Sequence, residues 1–589
     1  MAVVVAMVAE ADWIPPVQDK DEGKMTVQSL PVDHPRMRRE LLHQLRGGWE
    51  ATPTAVLVVL PCVLAVLLTL PRLGLKSLWI DEAWVAVAIQ RGTFGPAALS
   101  STPEGLALLV AGLSRVVGPT EFWLRFIPFL FAIGAIPLTF LAAYRFYHAR
   151  SVAFIASLLL ATNFGLISYA MMLKPYTADI FFSILLVLLV ERIIVKGTTS
   201  NWVVYVCAVG VALPFSFTSV FVTTVGAATL LVLALYNSRR QLIAPWLVSH
   251  SLIAIVLGLY ALVFLRSQST AGLQSYWSSG FPPHTGALHL VAWYARQTMQ
   301  LLEYLFNSFV YFFAPFTPFR PLGWGSIVVV VRSVCAVSTI LLLLWGAYAT
   351  VKKHSRYLAL LAGPVAVVAL ASLMHLYPFD PRSGGRLLLF TLPGLVIIYG
   401  SGVAALLATT RARTLGLVVL AFALIPGAFT VGASVVRPLD AVVGTETEQM
   451  GSLVTHNLLP DLQRGDLVYV YYEASAEFQY YAPRFRQQVL DYGDYRVIHL
   501  NGVTVVFGAS HPALGLYGLG VQAAINRWSP HRVWMIFGRK IVPKNAPLSE
   551  EDALVSAVVR CDPLVQTMRQ EGATLYHVNV MHPSSCSTR

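Results

Sequence analysis

Charged residues are scarce in this chain. Only 12% of its 589 residues are Asp, Glu, Lys or Arg, whereas 56% are hydrophobic and the mean hydropathy is +0.64. A soluble globular domain carries roughly 25% charged residues, so this composition excludes a soluble globule and predicts a polytopic membrane protein. The formal net charge of +12 would suggest nucleic-acid binding in a soluble protein. Here the basic residues cluster between apolar runs, as topology signals do, and we expect no nucleic-acid partner.

Cysteine is also scarce, with 5 residues, and none of them has metal-ligand spacing. Cys62, Cys207 and Cys335 lie in apolar runs, where a thiol packs as a small hydrophobe. A disulfide is left open only for Cys561 and Cys586, and only if they face an oxidising compartment. Histidines are few and scattered, so no zinc site is predicted.

Long apolar runs, in contrast, are abundant, and they predict about eleven transmembrane helices within residues 51–436. Basic clusters after alternate runs place residues 1–50, which lack a signal-peptide pattern, in the cytoplasm. Residues 74–121 and 266–323 are predicted outer loops, the first with short amphipathic helices along the membrane surface. The predicted spans are approximately 54–73, 122–146, 151–170, 177–195, 202–215, 217–236, 245–265, 324–350, 357–376, 387–407 and 414–432.

Residues 437–589 have the composition of a soluble domain. An odd number of spans places this domain on the extracytoplasmic side. Hydrophobic periodicity predicts a small α/β domain. The predicted strands are 467–472, 496–500, 504–507, 533–537 and 575–580, and the predicted helices are 473–481, 515–528 and 549–570. Its expected role is acceptor binding or structural support.

Two adjacent carboxylates, Asp81 and Glu82, follow the first apolar run. An ionisable pair at the edge of a bilayer is costly to desolvate, so it stays in water, pairs with a cation or belongs to a site. The alternative is an acidic helix start, because carboxylates favour the positive end of the helix dipole.

Four motifs follow one another in the predicted membrane part: Trp79-Ile80-Asp81-Glu82-Ala83, Glu121-Phe122-Trp123-Leu124-Arg125-Phe126-Ile127-Pro128, Lys174-Pro175-Tyr176-Thr177-Ala178-Asp179, and Tyr377-Pro378-Phe379 with Gly384-Gly385-Arg386-Leu387-Leu388-Leu389-Phe390. In this order they resemble the GT-C glycosyltransferases, in particular the branch with protein mannosyltransferases and bacterial aminoarabinose transferases of lipid A. Many relatives carry His-Pro-Pro after the acidic pair, where this chain reads Ser101-Thr102-Pro103-Glu104-Gly105.

This resemblance implies a GT-C fold and inverting transfer of a monosaccharide from a polyprenyl-phosphate donor to a protein, lipid or glycan acceptor. It identifies Asp81 as the general base, with Glu82 in a supporting part. An inverting displacement also needs positive groups at the departing lipid phosphate. The candidates are the cations predicted at outer ends of spans: Lys174, Arg386, Arg382 and Arg125.

Each candidate has a plainer interpretation. Lys174 and Arg386 would also suit a membrane interface, and Arg125 would also pair with Glu121 one helical turn away. Tyr176, Asp179 and Glu104 are the candidates for substrate contacts. An aromatic-belt position for Tyr176 and a helix N-terminal charge for Asp179 are the alternatives. No cofactor is implied with certainty, and a divalent cation, Mg²⁺ or Mn²⁺, at Asp81 or Glu82 is left open.

The sequence therefore predicts an integral-membrane glycosyltransferase, expected in the cell (inner) membrane, with the N-terminus cytoplasmic, membrane lipid around it and the site at the outer face. A transporter or lipid-carrier flippase is the main alternative. It would show internal repeats and polar residues near the bilayer midplane, whereas here the ionisable groups gather at one face. A non-catalytic scaffold presenting the C-terminal domain is a third alternative.

Overall fold

The computed structural model describes most of the chain outside the N-terminal tail. The described residues are 52–95, 99, 102–236, 240–265, 277–283, 286–306, 324–381, 385–409, 412–421, 424, 449–486, 490–492, 495–508, 524–538, 549–559, 564–570 and 572–580. The predicted tail 1–50, most of the second outer loop, Arg382, Cys561 and Cys586 lie outside them.

Helices make up the first three quarters of the described chain. They are α1 Thr54–Thr69, α2 Ile80–Arg91, α3 Glu104–Val117, α4 Glu121–Tyr147, α5 Arg150–Ala161, α6 Phe164–Ala170, α7 Tyr176–Val195, α8 Thr199–Ala212, α9 Ser219–Tyr236, α10 Ile243–Tyr260, α11 Ala287–Phe306, α12 Trp324–Leu373 and α13 Leu392–Ala408. A 3₁₀ segment, Arg386–Thr391, leads directly into α13. Short helices were predicted in the first outer loop, and α2 and α3 lie there. Their position along the membrane surface stays a prediction.

Within the described residues, 6 helices are long and apolar enough to cross a membrane, or up to 7 if α5 and α6, which meet at a 51° bend, form one span. Helix α7 was predicted as a span, and it carries three charged side chains, Asp179, Glu191 and Arg192. Helix α8, with 14 residues, is short for a bilayer. The number of about eleven spans stays a prediction.

The predicted link between residues 350 and 357 is helical in the structure. Helix α12 runs through both predicted spans, over 50 residues. No proline or glycine lies between Gly346 and Gly363. A basic cluster alone does not interrupt the hydrogen bonds of a helix backbone. The basic cluster was predicted to separate two spans, but it does not mark a helix end.

The C-terminal region forms a 7-stranded sheet with the order β2-β3-β4-β1-β5-β7-β6. The strands are β1 Asp466–Val470, β2 Leu490–Tyr492, β3 Tyr495–Leu500, β4 Val503–Phe507, β5 Arg532–Phe537, β6 Leu564–Gln570 and β7 Ala573–Asn579. Central strand β1 is parallel to β4 and β5, and the other pairs are antiparallel. All five predicted strands are present, and helices α14 Ser475–Tyr481 and α15 Glu550–Val559 accompany the sheet.

One prediction in this domain was wrong. The helix predicted over residues 549–570 ends at Val559, and Leu564–Gln570 is the edge strand β6. Six of its seven residues are exposed, so the strand lacks the apolar alternation by which a half-buried strand is recognised. Pairing with β7 therefore decides its conformation.

Helices α12 and α13 approach closely at Gly346. A Cβ atom at this position would lie 2.0 Å from the carbonyl oxygen of Ile398, and the Gly346 carbonyl accepts a hydrogen bond from Ser401 Oγ at 3.3 Å. Small residues allow this approach in a membrane protein, where packing rather than the hydrophobic effect drives helix association.

We predict that Gly346→Ala destabilises the protein. The added methyl group overpacks the helix crossing, at a cost of about 1–3 kcal/mol, and should lower the thermal unfolding midpoint of the purified protein by several degrees. Gly210→Ala is the matched control, because a Cβ there meets nothing within 4 Å and alanine favours the helix. Equal midpoints for the two variants would contradict this packing.

Candidate active site

The acidic pair lies in the first turn of α2. Trp79 is the extended N-cap residue of this helix, and Asp81 and Glu82 follow within its first turn. Adjacent helical residues point about 100° apart, and here the two carboxylates have different surroundings. Glu82 is 1% exposed, whereas Asp81 is half-buried.

Glu82 forms a bidentate ion pair with Arg125 of α4. Arg125 Nε donates to Glu82 Oε1 at 2.9 Å, and Nη2 donates to Oε2 at 2.7 Å. Glu82 Oε1 also accepts the backbone N–H of Leu173 at 2.7 Å. This carboxylate therefore fixes the start of α2 to α4 and to the segment between α6 and α7.

The remaining N–H groups of Arg125 hold the segment between α1 and α2. Nη1 donates to the carbonyl oxygens of Leu73 at 3.0 Å and Lys76 at 2.8 Å, and Nη2 donates to that of Ser77 at 3.0 Å. With the two bonds to Glu82, all donors of a guanidinium are engaged. The ion-pair partner of Arg125 is Glu82 rather than the neighbouring Glu121 of α4.

These contacts make Glu82 and Arg125 anchors of the site. In this arrangement all five N–H donors of Arg125 are used within the protein, whereas Glu82 Oε2 accepts a single hydrogen bond. The phosphate contact of Arg125 and the supporting part of Glu82 in acceptor or cation binding stay predictions. Asp81 differs from Glu82, since no hydrogen bond or ion pair holds its carboxylate within the described part of the chain. It is the reactive candidate of the pair.

Tyr176, at the start of α7, lies among several of the predicted residues. The charged groups of Arg386, Asp81 and Asp179 are within electrostatic range of its hydroxyl. Asp179 is buried and accepts a hydrogen bond of 2.6 Å from Ser216 Oγ. Asp179 and Tyr176 are likewise within electrostatic range of Tyr377, so these residues, distant in the sequence, lie around one region.

Lys174 lies in the segment fixed by Glu82, directly after Leu173. It is 3% exposed, and its Nζ donates to Thr102 Oγ1 at 3.4 Å. A snorkelling lysine would extend its ammonium group toward water, whereas this one is turned into the protein. Glu104, two residues after Thr102, is also buried; its Oε2 accepts the Tyr260 hydroxyl at 2.9 Å. Its Oε1 has no hydrogen-bond partner among the described residues.

Arg386 is buried, and its guanidinium lies near two indole rings. It follows Gly385, whose φ of 62° lies in the left-handed region that glycine adopts without strain. Its guanidinium carbon lies 5.9 Å from the ring centre of Trp79 and 5.3 Å from that of Trp277. The Trp79 side chain is 4% exposed, and its Nε1 has no hydrogen-bond partner within the described residues.

Trp79 and Trp277 were not predicted as site residues. Trp79 stood inside a recognised motif, but an aromatic residue beside an apolar run is ordinarily an interfacial residue. Its contact with Arg386 joins residues 307 positions apart in the chain. Only the folded arrangement reveals this contact.

The described residues contain no group of three His, Cys, Asp or Glu side chains that could hold a metal ion. The sequence leaves open a divalent cation at Asp81 or Glu82. Glu82 is engaged by Arg125, so Asp81 is the one carboxylate of this pair without a cationic partner among the described residues. This donor set does not fit a protein-held divalent cation. No chemical step is therefore assigned to a metal.

Comparison with solved structures identifies the fold. ArnT from Cupriavidus metallidurans, solved bound to undecaprenyl phosphate, is 12% identical with a TM-score of 0.50, covering 88% of this chain and 97% of ArnT. The oligosaccharyltransferase AglB from Archaeoglobus fulgidus, solved with an inhibitory peptide and a dolichol phosphate, is 12% identical with a TM-score of 0.48, covering 89% and 74%. No protein-family model and no curated protein matches the sequence.

The likeness to ArnT confirms the predicted GT-C fold. With the apolar helices, it indicates an integral membrane protein. At this level of identity the likeness concerns the fold alone.

We predict that Arg125→Lys strongly destabilises the protein, because lysine cannot replace the five hydrogen bonds of the guanidinium. Lysine keeps the positive charge but has only three donors, so at least two of the five buried hydrogen bonds are lost, at about 1–3 kcal/mol each, and the thermal unfolding midpoint should fall accordingly. Arg145→Lys is the control, because its pair with Glu191 has one contact at 3.3 Å and the arginine is 21% exposed. A smaller loss for Arg125→Lys than for Arg145→Lys would contradict the anchoring role.

Proposed function

We propose that this protein is an inverting glycosyltransferase that moves a monosaccharide, a hexose or a pentose, from a polyprenyl-phosphate donor to a protein, lipid or glycan acceptor on the extracytoplasmic side of the cell membrane. One observation carries the proposal. Within a GT-C fold, the open carboxylate of Asp81 stands beside the anchored pair Glu82–Arg125, with buried Lys174 and Arg386 in the same region.

Asp81 acts as the general base. It takes the proton of the acceptor hydroxyl while the acceptor oxygen attacks the anomeric carbon of the donor sugar. The bond between that carbon and the phosphate oxygen breaks, and its electron pair leaves with the polyprenyl phosphate. A single displacement inverts the anomeric configuration and needs only one carboxylate near the reacting carbon. The pair supports this reaction, because Glu82 is held by Arg125 and Leu173, whereas the Asp81 carboxylate is not hydrogen-bonded to the described residues and is the one left to act as base.

Lys174 and Arg386 stabilise the negative charge of the departing lipid phosphate. Buried cations act strongly there because little water screens them. The planar Arg386 guanidinium suits bidentate contact with phosphate oxygens. The N–H of Trp79, which is buried next to Arg386, supplies a further donor to the same phosphate. Arg382, outside the described residues, keeps its proposed place in this group.

Tyr176, Asp179 and Glu104 contact the sugar or the acceptor. Glu104 Oε1 is buried and has no hydrogen-bond partner among the described residues, which is costly. A hydrogen bond donated by a sugar hydroxyl or amino group would remove this cost. Undecaprenyl phosphate bound to ArnT supports a polyprenyl-phosphate carrier as the donor lipid.

We predict that Asp81→Asn lowers kcat about 10²–10⁴-fold, the range that general-base catalysis contributes, while donor binding is retained. The measurement is sugar transfer from radiolabelled polyprenyl-phosphate sugars by the purified protein. Glu121→Gln is the control, an acid in the first turn of α4 that is likewise half-buried. Full activity of Asp81→Asn would remove Asp81 from the mechanism, and absence of turnover by the wild type would favour the transporter alternative.

We predict that Trp79→Phe raises the KM for the donor about 10-fold. Phenylalanine keeps an aromatic ring beside Arg386 but lacks the indole N–H, and a hydrogen bond to a charged group is worth about 1.5–3 kcal/mol. Trp277→Phe alters the other ring on Arg386 and should have a smaller effect. Equal effects of the two substitutions would mean that only the aromatic ring matters and that the Trp79 N–H does not bind phosphate.

A further inference from the structure

The C-terminal domain contacts the segment that leads into the Asp81 helix. Ser77 and Leu78 connect α1 to α2, and both form hydrogen bonds with residues more than 370 positions away in the chain. The contacting residues are Gln449, Gly451 and Tyr481, around α14 and at the start of the domain.

The strongest of these contacts is made by Tyr481. Its hydroxyl oxygen accepts the backbone N–H of Leu78 at 2.7 Å. Burial raises the pKa of the Tyr481 hydroxyl well above its usual value, so the group stays neutral at physiological pH. Leu78 itself is fully buried, and a buried N–H without an acceptor is costly.

A second contact holds Ser77 from the same side. Gln449 Oε1 accepts the Ser77 N–H at 3.4 Å and its hydroxyl at 3.3 Å. The Ser77 Oγ in turn accepts the N–H of Gly451 at 3.1 Å. A Cβ on Gly451 would lie 2.8 Å from this Oγ, so the close approach requires glycine at this position.

Apolar packing extends the contact along α2. Ala476 and Tyr480 of α14 belong to the same buried cluster as Leu78 and Ala83. At the far end of α2, Arg91 Nη2 donates to Gln479 Oε1 at 2.5 Å. The domain therefore contacts both ends of the Asp81 helix.

The segment before α2 is thus held from two sides. Arg125 of the membrane part binds its carbonyl oxygens, including that of Ser77, whereas the C-terminal domain binds the N–H groups of Ser77 and Leu78. Asp81 follows Leu78 by three residues, less than one helical turn. We call these two sets of contacts, from Arg125 and from the C-terminal domain, the clamp. The position of Asp81 depends on both of them.

We infer that the C-terminal domain is a built-in part of the catalytic centre, in which Tyr481 and Gln449 act as positioning residues that fix the location of the Asp81 carboxylate. This inference rests on the proposed function of Asp81. It gives the domain a role in catalysis beyond acceptor binding or support, because catalytic groups lose much of their effect when displaced by about 1 Å.

The test compares Tyr481→Phe with Tyr480→Phe in the full-length protein. Both tyrosines lie on α14, and both hydroxyls bond to backbone of the membrane part, but the Tyr480 hydroxyl donates to the carbonyl of Pro119, between α3 and α4, and not to the segment before α2. Phenylalanine at position 480 keeps the ring that packs in the same buried cluster as Leu78 and Ala83. Hydrogen exchange of the peptide covering residues 73–82, followed by mass spectrometry, reports the clamp without reference to activity. Turnover of a polyprenyl-phosphate sugar reports catalysis.

In Tyr481→Phe we expect the Leu78 amide to exchange at least about 10-fold faster, because its acceptor is lost. We expect kcat to fall about 10-fold because Asp81 is displaced. The KM for the donor should change little, because the residues proposed to bind the donor phosphate are intact. Tyr480→Phe should change neither quantity, at a similar unfolding midpoint. If Tyr481→Phe does not fold, Gln449→Ala, which removes the acceptor for Ser77, decides the question by the same two readouts.

If the Leu78 amide exchanges no faster in Tyr481→Phe, the domain does not hold the segment before α2. If kcat falls equally in both tyrosine variants, the loss reflects the general stability of the domain and not the positioning of Asp81. Faster exchange with unchanged kcat would overturn the positioning role. If the wild type turns over no donor, the proposed transferase function fails instead, while the exchange measurement still decides whether the domain holds the segment.

Discussion

The site depends on the hydrogen bonds of one buried side chain, Arg125. Its five N–H groups join the Glu82 carboxylate to three backbone carbonyls of the segment between α1 and α2. Near a membrane such groups have little access to water, and unsatisfied ones are costly. An arginine suits this position because its donors form a fixed planar fork and it stays charged when buried.

This anchor separates two acids that the sequence places side by side. Glu82 is neutralised by Arg125 and further held by the Leu173 N–H, which also sets the position of Lys174. The Asp81 side chain leaves the helix in a different direction, and its oxygens form no hydrogen bond with Arg125 or Leu173 in the described structure. One carboxylate thus organises the site, and the proposed chemistry falls to the other. The same anchor holds one side of the segment whose other side the C-terminal domain contacts.

Much of the architecture could be predicted from the sequence because it follows from local patterns. Long apolar runs indicated the helices of the membrane part, and short apolar runs rich in β-branched and aromatic residues indicated the buried strands β1, β3, β4, β5 and β7. The exposed edge strand β6 had no such pattern. A basic cluster suggested a link within residues 350–357, where the structure continues α12 without a break.

The site was less predictable because its contacts join distant residues. The motifs pointed to Asp81, Lys174, Tyr176, Asp179 and Arg386, and the structure brings most of them together through Tyr176. They could not reveal that Arg125 pairs with Glu82 instead of Glu121, because the helical spacing favoured the local partner. Nor could they indicate Trp79 beside Arg386 or Tyr481 beside Leu78, since each contact depends on tertiary packing alone.

The most direct test of the account is the stereochemistry of the reaction. The purified protein would be incubated with a panel of polyprenyl-phosphate monosaccharides and candidate acceptors, and the anomeric configuration of the product would be determined by NMR. The account predicts that one donor is consumed, free polyprenyl phosphate is released and the configuration is inverted. A product with retained configuration would contradict the single displacement, and a panel in which no donor is consumed would contradict the proposed transferase function itself.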